Sequence, residues 1–289
     1  MKQVIAVANQ KGGVGKTTTV VNLGAALALA GQRVLLIDLD PQANLTSGAG
    51  LKGVTPVGGT IYDALATTDE PQLDQYTLET SVKGLSLVPA NRSLTGAELD
   101  LVELPRREAR LQPLVEQGRA RYDYILVDTP PSLGLLTLNA FVAADGILIP
   151  LTCEYFALEG VADLISTLDR VRGSLNARLE VAGVLLTMDD QRTNLGQQVA
   201  SEVRSFFKDK VFRTTIPRNI RLGEAPSYGL PGVIYDEKSK GAEAYVALAR
   251  EILTNPVASS GLSERGRDEP AESQPEEPSP PTTDPPGEG

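Results

Sequence analysis

The sequence predicts an α/β fold: an open, mostly parallel twisted sheet with helices on both faces. Short, nearly continuous runs of Val, Ile and Leu recur along the chain. They lack the in–out alternation of a sheet with one wet face, so they read as strands buried on both sides. Stretches of helical period lie between them, and strand–helix alternation over this length is the habit of a parallel sheet.

The runs are Val4–Ala8, Val34–Ile37, Leu85–Val88, Tyr124–Val127, Gly146–Leu151 and Val181–Leu186. Between the first two lies an apolar helical stretch, Thr17–Ala30, with Gly31 as its C-terminal stop. Further helices are expected at Leu135–Ala144, Gly160–Arg172, Asn194–Phe207 and Gly241–Leu253. The folded domain is therefore residues 1–254. Residues 255–289 read as a disordered acidic tail: Pro256–Gly289 holds eight of the 20 prolines, eight acids, two bases and no aromatic residue. Ligands of such sheets sit beyond the carboxyl ends of the strands, which is where to look for chemistry.

Composition removes several classes of function. The 289 residues include no histidine and one cysteine, Cys153. Ser-His-Asp and Cys-His catalysis, His-ligated zinc and an internal disulfide are excluded together. Cys153 follows an apolar strand and reads as packing. No apolar run approaches the length of a membrane span, and the first ten residues are too short to be a signal peptide, so a cytoplasmic protein is expected. The formal charge is −10, but −6 of it lies in the tail. Whole-chain charge therefore says little about any one surface.

Directly after the first strand comes Lys11-Gly12-Gly13-Val14-Gly15-Lys16-Thr17-Thr18-Thr19, and then the helix. Glycines let backbone N–H groups turn inward around phosphate oxygens, and a helix N-terminus adds partial positive charge. In a P-loop of this kind Lys16 reaches the β- and γ-phosphates and the Thr17 hydroxyl ligates Mg²⁺. The strict pattern asks for glycine at position 10, where this chain has Gln10. At the end of the second strand, Asp38 and Asp40 lie two residues apart and are expected to project the same way from the pleat. One could support Mg²⁺ and the other orient a hydrolytic water, or both could simply cap the next helix. Tyr124-Ile125-Leu126-Val127-Asp128 reads as a Walker B strand, with Asp128 holding Mg²⁺ opposite Thr17.

The phosphate loop resembles the deviant Walker A motif, in which a second lysine precedes the glycine pair; Lys11 stands there. In that family the lysine reaches across a dimer interface to the partner's nucleotide. The order of motifs, with Leu39-Asp40-Pro41-Gln42-Ala43-Asn44, Asp128-Thr129-Pro130-Pro131 and Ile216-Pro217-Arg218-Asn219-Ile220-Arg221-Leu222-Gly223-Glu224-Ala225-Pro226-Ser227, resembles the ParA/Soj chromosome-partition ATPases over about residues 1–254. The resemblance assigns Asp40 to the attacking water and Asp38 to the metal surroundings. It places Pro217 and Asn219 beside the adenine and ribose. It implies an ATP-dependent homodimer that binds double-stranded DNA without sequence preference, a ParB-like centromere-binding partner, and residence on the nucleoid.

For DNA contact the resemblance points to Arg192 and Arg221. The sequence adds that Arg192–Leu222 carries seven bases against two acids. Such a face binds phosphates by counterion release, although it also fits an ordinary solvated surface. The membrane-recruited septum-site MinD proteins share the nucleotide motifs but end in a basic amphipathic helix. Here the C-terminal sequence is acidic and rich in proline, which argues against lipid binding. Iron–sulfur relatives need cysteine pairs. The first strand begins almost at residue 1, so the larger plasmid type with an N-terminal helix-turn-helix domain is not expected, while chromosome and small-replicon cargo both stay open.

Overall fold

The computed structural model describes residues 3–154, 160–190 and 192–254. The acidic segment 255–289 lies outside the described residues, as does the expectation attached to it. Eight strands form one sheet: β1 (Gln3–Val7), β2 (Val34–Asp38), β3 (Leu78–Glu79), β4 (Leu85–Val88), β5 (Tyr124–Asp128), β6 (Gly146–Thr152), β7 (Glu180–Asp189) and β8 (Ile216–Pro217). Their order is β3-β4-β2-β5-β1-β6-β7-β8, and every pairing is parallel except β3 with β4. The six long strands coincide with the six apolar runs.

Successive residues of the long strands feed opposite cores. Val4, Ala6, Leu35 and Ile37 face one cluster, which includes Leu114, Phe141, Leu164 and Val203 from the helices Gln112–Arg121, Leu135–Ala143, Val161–Ser174 and Asn194–Phe207. Ile5, Val7, Val34 and Leu36 face the other, packed under the helices Lys16–Leu29 and Lys240–Thr254 through Leu23, Leu27, Tyr245 and Leu248. This double burial is why the strands read as unbroken apolar runs. Among the described residues, no helix is long and apolar enough to cross a membrane.

Expected helices appear with small shifts of end, and Asn194–Phe207 appears with both ends as expected. There Thr193 caps the start by accepting from the Gly196 N–H at 3.1 Å, and Lys208 at φ 52° ends the helix. Unforeseen were the short helices that lie between residues 44 and 121, on either side of β3 and β4. One of them, Ile61–Ala66, opens with a capping box in which the Thr60 N–H donates to Asp63 Oδ2 at 2.7 Å. Another, Asn44–Gly48, follows β2 and is braced by the turn Ala225–Tyr228. At that brace Gly50 (φ +80°) and Gly229 (φ +65°) meet backbone to backbone. A methyl group on Gly229 would lie 2.8 Å from the Gly50 Cα.

A candidate nucleotide site at the carboxyl edge of the sheet

The site forms where β1, β2, β5 and β7 end. β5 lies between β1 and β2, and the register pairs Asp128 with both Val7 and Asp38. The segment after β1 therefore lands beside both acids. It turns through Gly13 (φ +74°) and Gly15 (φ +88°), left-handed conformations that a side chain would oppose. Gly15 then stands at the N-cap of the helix Lys16–Leu29, with no side chain satisfying the first N–H groups. Those donors and the end of the helix dipole are left for an anion.

Buried polar side chains hold the loop from behind. Asn9 donates through Nδ2 to the Pro150 carbonyl at 2.8 Å and accepts the Lys11 N–H at 2.9 Å. From the far side, the Thr187 hydroxyl donates to the Val14 carbonyl at 2.8 Å. Sequence reasoning singled out neither Asn9 nor Thr187. Next to Thr187, Met188 has φ 50°, a strained setting for a long side chain, and lines the site.

The Thr17 hydroxyl donates to Asp128 Oδ2 at 2.7 Å, so the two residues expected to face each other do meet. Asp128 is fully buried, and its Oδ1 has no hydrogen-bond partner. Burial first, and then Asp38 alongside, push its carboxyl well above the ordinary range. Lys16 rests its Nζ 3.2 Å from the Lys11 carbonyl. Burial lowers its pKa, opposed by the charges of Asp128 and Asp40.

Asp38 and Asp40 differ in burial and in partners, although the charges of both act on Asp128. β2 ends at Asp38, and the chain then turns, with the Ala43 N–H donating to the Asp40 carbonyl at 2.8 Å. Asp40 lines the cleft with Gly12, Lys16 and Thr17, and its Oδ1 accepts the Gln42 N–H at 2.9 Å. Asp38 is fully buried. Its Oδ1 accepts the Asp40 N–H at 3.1 Å, and its Oδ2 accepts the Thr46 N–H at 2.9 Å and hydroxyl at 2.7 Å. Burial raises Asp38 to about 6 against the pull of these donors.

Two clefts flank the loop. One of about 290 Å³ is lined by Gly12, Gly13, Gly15, Lys16, Thr17, Thr18 and Asp40. The other, about 240 Å³, lies between Gly15, Thr18 and the segment Ile216–Asn219, so Pro217 and Asn219 do border the loop. Asn219 caps the helix Ile220–Glu224 by accepting the Arg221 N–H at 2.9 Å. The first cleft suits phosphates and the second, walled by Pro217, Leu222 and Tyr245, suits an apolar ring.

A hard cation would fit beside Thr17, where a hydroxyl and a buried orphan oxygen adjoin. Among the described residues, no three acids, cysteines or histidines are grouped as a metal cage. A cation here would thus depend on water and substrate oxygens, as Mg²⁺ commonly does. Cys153 is buried, and burial with nearby Asp189 pushes its thiol up to about 12, too high for a nucleophile.

Neither Arg192 nor Arg221 lines either cleft, whereas Arg218 borders the second. Arg192 is exposed and forms a two-pronged pair with Asp190, both contacts at 2.8 Å. Arg221 is exposed and bonds Glu224 at 2.9 Å and Asp236 at 3.3 Å.

Comparison with known proteins places this geometry. A family model described as "AAA domain" matches residues 2–181. Over 255 residues the chain is 52% identical to the sporulation initiation inhibitor protein Soj of Bacillus subtilis, covering 88% of this chain and 100% of that protein. It is also 52% identical to the chromosome partitioning protein ParA of Caulobacter vibrioides, over 87% of this chain and 94% of that one. Among solved structures, cobyrinic acid a,c-diamide synthase from Mycobacterium smegmatis with bound ATP analogue and magnesium superposes with a TM-score of 0.74. It is 37% identical, over 88% of this chain and 95% of its own.

Proposed function

The chain belongs to the ParA/Soj family of chromosome-partition ATPases, and on that premise we propose that it is an ATP-driven dimerisation switch that holds DNA without regard to sequence. The observation that carries this is the Thr17–Asp128 pair beneath a left-handed glycine loop. It supplies phosphate donors and a cation seat, and Asp40 lines the same cleft with a carboxylate for water.

In this reading the N–H groups of Gly12, Gly13, Val14, Gly15, Lys16, Thr17 and Thr18 surround the β- and γ-phosphates. Lys16 exchanges its weak contact with the Lys11 carbonyl for phosphate oxygens. Thr17 and Asp128 hold Mg²⁺, which when bound neutralises phosphate charge; Asp38 supports that seat from its place beside Asp128. Asp40 orients the attacking water, the natural choice in a chain without histidine. Pro217 and Asn219 border the base. Lys11 reaches the nucleotide of a second copy, so that an intact γ-phosphate favours the dimer.

Two copies present two sets of Arg192 and Arg221 to DNA, which strengthens a contact that is weak in one copy. A ParB-like partner stimulates hydrolysis and release, and the protein resides in the cytoplasm on the nucleoid. Size-exclusion chromatography of Asp40→Ala with ATP and Mg²⁺ tests the switch. A stable dimer is expected, reduced to monomer by adding Lys11→Ala. An Asp40→Ala protein that stays monomeric with ATP bound would overturn the reading.

A further inference from the structure

We propose that Thr46 is a positioning residue for hydrolysis: through Asp38 it fixes the backbone from which Asp40 addresses the attacking water. The proposal rests on the role of Asp40 given above.

Asp40 lies outside regular structure, beyond the end of β2, and its placement depends on the bonds that hold that turn. Asp38 is their hub. One carboxylate oxygen holds the Asp40 N–H, and the other holds Thr46 twice, by N–H and by hydroxyl. The hydroxyl in turn accepts the Ala90 N–H at 3.0 Å, just past the end of β4. Thr46 is 3% exposed, so water does not compete for these bonds. A chain of contacts thus runs from β4 through Thr46 and Asp38 to the Asp40 backbone. The neighbouring bond from the Leu39 N–H to the Asp128 carbonyl, 3.0 Å, anchors the same turn to β5.

Packing alone would not need the hydroxyl. Valine offers nearly the same shape, yet it leaves the Ala90 N–H without its acceptor and removes one of the three donors on Asp38. The phosphate loop is held by other residues, Asn9 and Thr187, so nucleotide binding and hydrolysis respond differently. For Thr46→Val we expect kcat for ATP to fall about 10-fold or more, with KM changed less than about 2-fold. Thr46→Ser, which restores the hydroxyl, should recover most of the rate.

Melting temperature and binding of a fluorescent ATP analogue report the fold. If the valine protein does not fold, Thr46→Ala carries the same comparison with serine. Asp40→Ala is measured alongside. If it hydrolyses ATP normally, the reading of Asp40 fails and this proposal with it. If Asp40→Ala is inactive while Thr46→Val keeps the full kcat, only the proposal fails. It fails equally if valine raises KM as much as it lowers kcat and serine does no better.

Discussion

At the scale of single residues, the site is a crowded set of carboxylates with too few partners. Asp38 and Asp128 face each other in register, both fully buried, and both titrate above the ordinary range because burial penalises the charged form. The sign of the linkage follows. A carboxyl raised in the folded chain stabilises it fully below the unfolded value of 3.8, and that contribution is lost as pH rises through the folded value, about 6 for Asp38. At neutral pH the nucleotide-free chain is therefore strained at this pair. Asp128→Asn, which removes one charge and keeps the shape, should raise the melting temperature at pH 7.5 and abolish hydrolysis. A gain near 1 kcal/mol corresponds to roughly 2–4 °C in a domain of this size. The difference between the two proteins should shrink as pH falls and Asp128 takes up its proton; differential scanning fluorimetry across pH measures both effects.

At the scale of elements, legibility followed the range over which each feature is determined. The six long strands stood out because each fills two cores at once, and the helix Asn194–Phe207 because its cap and its apolar stripe are local. Strands β3 and β8 have two residues each, too few to show any period. The helix Gln112–Arg121 is mostly polar, burying only Leu114, Val115 and Gly118, so it gave little apolar signal. The site divides the same way. Lys16 and Thr17 were visible within one motif, and Asp128 at the end of an apolar strand. Asn9, Thr46 and Thr187 were not, because Asn9 meets Pro150, Thr46 meets Ala90 and Thr187 meets Val14, each far away in sequence.

The Gly50–Gly229 brace is another long-range feature with a measurable outcome. Gly229→Ala would force a left-handed alanine into the Gly50 backbone, and we expect a loss of at least about 1 kcal/mol, seen as a lower melting temperature. Gly53 is also left-handed, but a methyl group there meets nothing within 4 Å. Gly53→Ala should therefore cost less, since only the backbone conformation opposes it.

At the scale of the whole molecule, Arg192 and Arg221 lie outside the lining of both clefts, and the segment after β8 connects the second cleft to Arg221. Asn219 borders the second cleft and caps the short helix that carries Arg221. Replacing Arg192 or Arg221 by alanine should therefore spare hydrolysis measured without DNA and weaken ATP-dependent retention of DNA on a filter. The acid pairs of these arginines carry a further implication. On the proposed DNA contact, each guanidinium would trade a carboxylate for a phosphodiester, and the freed acid would draw a cation from solution. Part of the ion release that normally drives such complexes would thereby be cancelled. A plot of log affinity against log salt should fall less steeply than the tally of lysines and arginines suggests, and Asp190→Asn should make it steeper.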